Sequence, residues 1–295
     1  MVVVTGATGH VGNTLINQLL LNNETIRVLI RKTSSKEALN GNNIEIVEGD
    51  LLNLDSLIKA FTGVDVVFHC AALISILPRD KKLLYDINLK GTENVIEACF
   101  RCKVKRLVYT SSIEAIGLPE VGSCVDESYG FNPDKTMIIY GKTKALATLK
   151  VLEAVKKGLD AVIVCPTAVI GPNDHKPSKM GKMFIDFAKR KMSGYPDFGG
   201  FNFVDVRDIA NGIILAAKNG KTGEHYLLTG EHKTVPELMD ELEKGFGVKK
   251  PKMPIPYWLS YVGAVFIESI SKVIGKAPIF TRSSIKIVKS NLQAN

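Results

Sequence analysis

The chain has 295 residues, of which 45% are hydrophobic and 23% are charged, and its formal net charge is +8. This is a globular composition with ample apolar side chains for a core, and the length allows one or two domains. The basic residues are mixed with acidic ones, which favours attraction of an anionic cofactor or substrate over binding of nucleic acid. No apolar run reaches the roughly 18–20 residues that a transmembrane helix needs.

Apolar runs of strand length alternate with amphipathic stretches of helix length. The predicted strands are Val2–Val4, Ile26–Ile30, Ile44–Val47, Val64–Cys70, Arg106–Thr110 and Ala161–Cys165. The predicted helices are Val11–Leu21, Leu54–Phe61, Lys82–Cys102, Ile139–Lys157 and Arg207–Lys218. The strands are nearly continuous in Val and Ile, which is typical of strands buried on both faces. The alternation predicts an α/β fold with a doubly wound parallel sheet.

A glycine-rich turn joins the first predicted strand to the first predicted helix. Glycines at three-residue spacing permit a tight turn, close approach of a pyrophosphate and close packing of helix on sheet. The start of the helix offers free N–H groups and the positive end of the helix dipole to phosphates. The alternative is an ordinary glycine-rich turn without a ligand. The predicted cofactor contacts of the turn are Gly6, Thr8, Gly9, His10, Val11 and Gly12.

Arg31 and Lys32 follow the second predicted strand, roughly 20 residues past the glycines, where the group that meets the adenosine ribose is expected. An acid there would accept from the 2′-hydroxyl of NAD, whereas an arginine pairs with the 2′-phosphate of NADP. We therefore expect NADP, bound by Arg31, with NAD as the alternative; both side chains could instead be solvated loop charges. Asp50, after the third strand, is a candidate for the adenine amino group or for a helix cap.

Tyr140 and Lys144 lie four positions apart on a predicted helix, so they share one face. A free phenol has a pKa of about 10, and we expect the neighbouring ammonium to lower that pKa by roughly three units. Ser112, or else Ser111, follows a strand at the edge where open α/β sheets bind ligands, and could donate to a substrate oxygen. A Tyr-x-x-x-Lys pair alone is common on helix surfaces; the serine pair makes proton transfer at this site a specific expectation.

After Pro166 the strand and helix rhythm changes. The chain is expected to return to the sheet at Phe201–Val206 and at His225–Leu228, and the remainder is mostly helical. We predict a nucleotide-binding domain over residues 1–170, with returning segments near 201–230, and a small, mostly helical substrate-binding cap formed by residues 171–200 and 231–295.

These motifs resemble those of the extended short-chain dehydrogenase/reductase family of NAD(P)-dependent epimerases and dehydratases, nearly end to end. The matching motifs are Thr5-Gly6-x-x-Gly9-x-x-Gly12, Asp50-Leu51, His69-Cys70-Ala71-Ala72, Asn88-x-x-Gly91-Thr92-x-Asn94-Val95, Thr110-Ser111-Ser112, Tyr140-x-x-x-Lys144, Pro166-Thr167 and Val204-Asp205-Val206-x-Asp208. Within the family, the Thr110–Glu114 segment is similar to the dihydroflavonol-reductase-like and 3β-hydroxysteroid-dehydrogenase-like branch. Sugar-nucleotide epimerases more often carry an Arg-Asp pair just before the strand with Val204 and Asp205, where this chain has Gly199-Gly200-Phe201-Asn202.

The resemblance implies a Rossmann fold and assigns roles to the site residues. Tyr140 would be the catalytic acid/base, Lys144 its partner and Ser112 the hydroxyl that polarises the substrate. The family usually dimerises through two helices per subunit, here Lys82–Cys102 and Ile139–Lys157, so a homodimer is expected. Beyond the glycine turn, the implied cofactor site comprises Asp50, Leu51, Ala71, Ala72, Asn88, Thr110, Ser111, Tyr140, Lys144, Pro166 and Thr167.

Three functions fit these residues. The first expectation is an NADP(H)-dependent oxidoreductase that reduces a ketone or aldehyde, or oxidises the matching alcohol. Apolar residues near the C-terminus, such as Trp258 and Phe266, hint at a hydrophobic substrate unless they pack the cap. The second function is a nucleotide-sugar epimerase or dehydratase with tightly bound NAD, in which a basic loop could clamp a diphosphate unless it is merely solvated; its residues are His175, Lys176, Lys179 and Lys182. The third is a non-catalytic cofactor-sensing protein, which the intact Tyr140 and Lys144 pair disfavours.

The remaining expectations concern location and partners. The N-terminus shows no signal peptide, and the five cysteines are odd in number, which indicates a reducing cytoplasm. Cys99 and Cys102 have the spacing of a metal-binding pair, but no second pair of cysteines accompanies them, so no metal site is expected. The expected partner is a small-molecule substrate. The apolar face of Tyr257–Ile274, with Lys272 and Lys276, fits a helix in peripheral contact with a membrane, and cap packing is the alternative.

Overall fold

The computed structural model of the chain describes residues 1–39, 43–117, 123–274, 278 and 280–295. Its strands are β1 (Val2–Thr5), β2 (Ile26–Ile30), β3 (Glu45–Glu48), β4 (Val66–His69), β5 (Arg106–Thr110), β6 (Cys124–Val125), β7 (Ala161–Pro166), β8 (Ala168–Ile170), β9 (Gly194–Pro196), β10 (Gly200–Asp205), β11 (His225–Leu228), β12 (Glu231–Thr234), β13 (Met253–Ile255) and β14 (Gln293–Ala294). Its α-helices are α1 (His10–Leu21), α2 (Leu54–Phe61), α3 (Lys81–Leu84), α4 (Gly91–Arg101), α5 (Ile139–Lys156), α6 (Lys179–Ala188), α7 (Val206–Asn219), α8 (Val235–Phe246), α9 (Tyr257–Ile274) and α10 (Arg282–Ser290).

Seven parallel strands form the central sheet, in the order β11-β7-β5-β4-β1-β2-β3. The first strand lies inside the sheet, where its last residue, Thr5, pairs with Leu29 of β2 on one side and with His69 of β4 on the other. From β1 the chain adds strands first in one direction and then in the other. This confirms the predicted doubly wound α/β fold. Ligands of such sheets bind at the carboxyl ends of the strands where the order reverses, which here is the end of β1.

Helices cover both faces of this sheet and bury its side chains. Val3 belongs to the apolar cluster that includes Leu57 of α2 and Val151 of α5. Its neighbour Val4 belongs to the opposite cluster, with Leu15 of α1 and other residues from α7. Successive strand residues point to opposite faces, so strands covered on both sides have continuous apolar sequences.

Most predicted elements are present, with their ends shifted by a few residues, but two differ. The helix predicted over Lys82–Cys102 consists of α3, a π-helical segment at Tyr85–Lys90 and α4. The expected return of Phe201–Val206 to the central sheet is wrong, because β10 pairs with β8 and β12 in a separate three-stranded sheet. An apolar run predicts a strand without specifying its partner. The predicted return of the chain to the central sheet at His225–Leu228 is confirmed, because this segment forms the edge strand β11.

The C-terminal part has an apolar cluster of its own, which contains Phe187 of α6, Tyr195 of β9 and Met239 of α8. The short strand β14 pairs with β6, which brings the end of the chain beside the segment that follows β5. None of the described helices is long and apolar enough to cross a membrane. Of the residues expected in a membrane-contacting helix, Lys276 lies outside the described residues.

Candidate active site

The turn after β1 requires glycine at two of its three positions. Gly6 has a φ of +76°, and a Cβ there would lie 2.6 Å from the backbone nitrogen of Ala71. A Cβ on Gly12 would collide with the Gly6 carbonyl oxygen. Gly9 precedes α1 without a side-chain cap, so no side chain occupies the start of the helix. This bare, positively polarised helix start fits the pyrophosphate of a dinucleotide.

The other predicted residues of the turn lie at its rim. Thr8 and Val11 are half-buried. His10 is also half-buried, and its Nε2 atom lies 2.8 Å from the carbonyl oxygen of Pro172, so its ring connects the turn to the loop after β8.

Arg31 and Asp50 follow β2 and β3 at the same edge of the sheet. Arg31 is exposed, and it forms no ion pair with any of the described residues. One carboxylate oxygen of Asp50 accepts a hydrogen bond from the backbone N–H of Leu52 at 2.9 Å. Asn53, not Asp50, caps α2. Asp50 therefore shapes the turn with one oxygen and keeps its second oxygen for another partner.

Asn88 holds the loop that follows β4. Its side-chain amide donates to the Leu73 carbonyl oxygen at 3.0 Å, and its oxygen accepts from the Leu73 N–H at 2.8 Å. It also donates to the Thr143 hydroxyl at 3.1 Å. The predicted cofactor residue Asn88 thus has its amide engaged within the protein, where it positions half-buried Ala71 and exposed Ala72 along the cleft.

Beneath this loop His69 forms a buried network that the sequence analysis did not assign. Its Nδ1 atom lies 2.7 Å from the Thr5 hydroxyl, and its Nε2 atom lies 3.2 Å from the Thr92 hydroxyl. Burial, with the nearby Lys144, lowers the pKa of His69 to about 3, so the ring is neutral. The signal in the sequence was its place at the end of a buried strand, next to the glycine turn.

Ser112 and Tyr140 come together at the carboxyl end of β5. Ser112 begins a short 3-10 turn, and its hydroxyl accepts from the N–H of Glu114 at 3.2 Å. Gly141, next to Tyr140, packs directly on the Glu114 carbonyl oxygen, where a Cβ would not fit. Burial raises the pKa of Tyr140 to about 12, and the nearby Ser112 hydroxyl opposes that rise. The phenol is therefore a protonated donor beside a serine hydroxyl.

Lys144 lies on the same helix face but points to the end of β5. Its ammonium donates to the Thr110 carbonyl oxygen at 2.7 Å and lies 4.2 Å from the centre of the Tyr109 ring. Burial lowers the pKa of Lys144 to about 7. The expectation that Lys144 lowers the pKa of Tyr140 is wrong here, because burial dominates and the Ser112 hydroxyl is the group that lowers it.

Ser111 faces away from Tyr140. Its hydroxyl lies 2.7 Å from the Thr148 hydroxyl of α5, and its side chain is buried. Of the two serines considered, the structure therefore brings Ser112 to the phenol.

Cys99 is buried and Cys102 half-buried, and no cluster of metal-binding side chains occurs in the described parts of the chain.

A cavity opens next to the turn that follows Ser112, between the segments after β5 and β7 and the C-terminal segment. Its apolar wall includes Ile113, Ile287 and Leu292, and its polar wall includes Thr167 and Glu114. Pro166, which precedes Thr167, is buried at the end of β7.

Glu114 had no role in the sequence analysis. Burial raises the pKa of its carboxyl group to about 7, and no cation among the described residues pairs with it. In the sequence, only the position of Glu114, two residues after Ser112, indicates a role at this site. The carboxyl group is the titratable side chain of the cavity wall.

The positions of the side chains bear on two other expectations. Trp258 and Phe266, considered for substrate binding or cap packing, are 64% and 65% exposed on α9. Lys182, considered for a diphosphate clamp, pairs with Asp186 at 3.2 Å within α6.

A comparison with known families identifies the chain. The model of the NAD dependent epimerase/dehydratase family matches residues 2–229. The chain belongs to this family. It is an NAD(P)-dependent enzyme of the extended short-chain dehydrogenase/reductase type, which confirms the resemblance drawn from the motifs.

Similar proteins cover almost the whole chain. "Sterol demethylase protein B" of Methylococcus capsulatus is 36% identical over 98% of this chain and 88% of its own length. A "Putative dihydroflavonol 4-reductase" of Synechocystis is 35% identical over 96% of this chain and 83% of its own length. The crystal structure of gox2253 superposes with a TM-score of 0.85 at 33% identity, covering 98% of this chain and 88% of that one.

Proposed function

We propose that this chain is an NADP(H)-dependent oxidoreductase that reduces a ketone or aldehyde, or oxidises the matching alcohol. The observation that carries the proposal is the packing of α5 at Gly141 on the turn that follows Ser112, which brings the Tyr140 phenol near the Ser112 hydroxyl at the edge of the sheet that also holds the glycine turn. A phenol and a second hydroxyl can together hold one carbonyl oxygen. Neither a structural ion pair nor a metal site calls for this arrangement.

The bound nicotinamide supplies or accepts the hydride. In the direction of reduction, Ser112 donates a hydrogen bond to the carbonyl oxygen, and Tyr140 transfers its phenolic proton to that oxygen. The raised pKa of Tyr140 keeps this proton in place at neutral pH. Lys144, held at the Thr110 carbonyl, lies on the same face and is proposed to bind ribose hydroxyls.

The preference for NADP rests on Arg31. The side chain is exposed directly after β2 and is not neutralised by a described acid, which supports pairing with a 2′-phosphate. With Arg31, we propose that the glycine turn, Asp50, Leu51, Ala71 and Ala72 line the cofactor site, and that Asn88 supports it from behind.

The substrate is proposed to be an apolar carbonyl compound that enters the cavity beside Ser112. Isoleucine and leucine side chains from the segment after β5 and from the C-terminal segment line that cavity, which supports this choice. The name of the Methylococcus relative refers to a sterol, which is consistent with an apolar substrate. The proposed division is a cofactor domain of residues 1–170 together with α7 and β11, and a cap that includes residues 171–200, β10 and residues 231–295. A cytoplasmic location is part of the proposal, supported by the free state of all five cysteines.

The test is a cofactor and substrate screen on the purified chain. Oxidation of NADPH and of NADH is followed over a panel of apolar and polar ketones and aldehydes, with Tyr140→Phe as the control that retains the ring. We expect NADPH-dependent turnover of apolar carbonyls and a loss of about 10²–10⁴-fold in kcat in the variant, with cofactor affinity unchanged.

Two results would contradict the proposal. Copurification of tightly bound NAD without turnover of free carbonyl compounds would favour the nucleotide-sugar epimerase or dehydratase. Full activity of Tyr140→Phe would remove the phenol from the reaction.

A further inference from the structure

The helix α9 presents an apolar surface where a surface helix normally presents polar side chains. Between Trp258 and Ile270, the large side chains that are at least 39% exposed are all apolar: Trp258, Leu259, Val262, Val265, Phe266 and Ile270. At 100° per residue these positions fall within a sector of about 140°. Ser260 and Ala264, on the opposite side of the helix, are buried against the protein. The exposed face is therefore an apolar stripe with the small polar side chain of Ser269 within it, and we call it the α9 stripe.

Most of the net positive charge of the chain belongs to the C-terminal segment that contains α9. Residues 247–295 contain eight Lys or Arg residues and one acidic residue, Glu268, which gives a net charge of +7 out of +8 for the whole chain. The preceding 246 residues are therefore almost neutral. A local charge excess of this size creates an attraction for anionic surfaces that the mixed charges elsewhere do not.

Lys250 pairs with Asp240, which lies outside this segment, but several of the other cations are available for an external partner. Glu268 is already paired with Arg282 at 2.8 Å. Lys252 and Lys286 are exposed, and neither pairs with an acid among the described residues. The Lys289 ammonium lies 3.9 Å from the centre of the Tyr257 ring, which precedes the α9 stripe. Two basic side chains of α10, Arg282 and Lys289, thus contact α9 beside the apolar stripe.

We propose that the α9 stripe and its basic border dock on the surface of an anionic lipid bilayer. An interfacial helix inserts its apolar face to the depth of the acyl chain boundary, and its cations pair with the anionic headgroups. Tyrosine and tryptophan are the side chains favoured at that depth. A protein partner would have to match both the stripe and the net charge of +7; an anionic bilayer matches both without a specific shape.

The docking surface lies next to the proposed substrate cavity. Ile287 and Ser290 of α10 line the cavity, while Arg282 and Lys289 of the same helix contact α9. A bilayer held at α9 would therefore lie one helix away from the cavity wall. Docking does not depend on the proposed reaction, and the vesicle test below measures docking alone.

Trp258 provides a direct probe, because it is the one tryptophan of the chain and is exposed on the stripe. Vesicles of phosphatidylcholine with about 30% phosphatidylglycerol are compared with pure phosphatidylcholine vesicles by cosedimentation and by Trp258 emission. We expect a blue shift, quenching by spin-labelled lipids, and binding at least about tenfold tighter on the anionic vesicles. Raising the salt from about 0.1 M to about 0.5 M should weaken binding several-fold.

Matched variants separate the two parts of the surface. Phe266→Ser with Ile270→Ser keeps the probe and should weaken binding at least about tenfold on both kinds of vesicle. Lys252→Gln with Lys286→Gln should reduce mainly the preference for anionic lipid. Leu215→Ser, which alters a 56% exposed leucine on α7, should leave binding unchanged.

Two results would overturn the proposal. One is a Trp258 emission that saturating anionic vesicles leave unchanged while circular dichroism shows a folded chain. The other is a blue shift that grows with protein concentration in the absence of vesicles and is abolished by Phe266→Ser, because a second copy of the chain would then cover the stripe.

Discussion

Burial shifts the pKa values of three groups around the cleft, each toward its uncharged form. It raises the pKa of Tyr140 to about 12 and that of Glu114 to about 7, and it lowers the pKa of Lys144 to about 7. Desolvation disfavours the charged form of each group, so the two acids retain protons and the amine releases one. Near neutral pH the cleft therefore contains a fixed phenol proton beside two groups that titrate.

Glu114 should make the stability of the fold depend on pH. Its folded-state pKa is raised from 4.5 to about 7, so its contribution is fully present below 4.5 and is lost as pH rises through 7. Glu114→Gln replaces the titrating carboxyl group with a neutral amide, so the variant does not lose this stability as the pH rises. Relative to wild type, the variant should gain up to ~3 kcal/mol in the free energy of unfolding between about pH 5 and about pH 8.

Denaturant unfolding of both chains across this pH range measures the difference. The matched control is Glu37→Gln, which alters an exposed glutamate. A stability difference between Glu114→Gln and wild type that stays constant with pH would show that the Glu114 carboxyl group titrates normally.

Arg31 should determine the choice between the two dinucleotides. A charge-assisted pair with a 2′-phosphate contributes about 1.5–3 kcal/mol, which corresponds to roughly 10–100-fold in affinity. Arg31→Ala should therefore raise the Kd of NADPH by that factor and leave the Kd of NADH nearly unchanged. Lys32→Ala, at the neighbouring exposed position, is the control and should have a smaller effect. Equal weakening of both cofactors by Arg31→Ala would contradict a 2′-phosphate contact.

At the scale of elements, the packing of α5 against the 3-10 turn after Ser112 sets the distance between the two proposed donors, Ser112 and Tyr140. A Cβ at Gly141 would meet the Glu114 carbonyl oxygen, so Gly141→Ala forces the start of α5 outward with Tyr140. We expect a loss of about 1–3 kcal/mol in stability and of roughly 10²-fold in kcat. Thermal unfolding and steady-state kinetics measure the two effects.

The matched control for this substitution is Gly245→Ala in α8. A Cβ at Gly245 would meet no atom within 4 Å. Alanine is the better helix former, so this variant should gain ~0.5–1 kcal/mol and keep full activity. Similar behaviour of the two variants would show that Gly141 is not a packing constraint.

The same elements show what the sequence can predict and what it cannot. The Val and Ile runs of β1 and β2 are local signals, and the sequence predicted both strands and the glycine turn between β1 and α1. The spacing of Tyr140 and Lys144 predicted a shared helix face but not the side-chain direction of Lys144, whose ammonium reaches the Thr110 carbonyl instead. The partners of β10 and Asn88 come from distant parts of the chain, so neither could be predicted from local pattern.

At the scale of the whole molecule, the sheet and its helices leave α5 with an outward side. Tyr140, Lys144 and Thr148 are buried on α5, whereas Leu146 and Leu149 are only half-buried. These two leucines are three positions apart, so they lie side by side on the outer face of the helix. An apolar pair in that position fits packing against a second helix. This supports the homodimer expected from the family resemblance, formed through α4 and α5.

Leu146→Arg should convert such a dimer to a monomer, because a charged side chain replaces an apolar one at the proposed helix contact. Sedimentation velocity should show wild type at twice the 32.2 kDa mass of the chain, and the variant at the single mass. Leu215→Arg on α7, across the sheet, is the control and should remain dimeric. The dimer should persist in Phe266→Ser with Ile270→Ser, because α9 is a separate surface. A wild-type chain that sediments as a monomer, or a Leu146→Arg variant that stays dimeric, would remove α5 from the subunit interface.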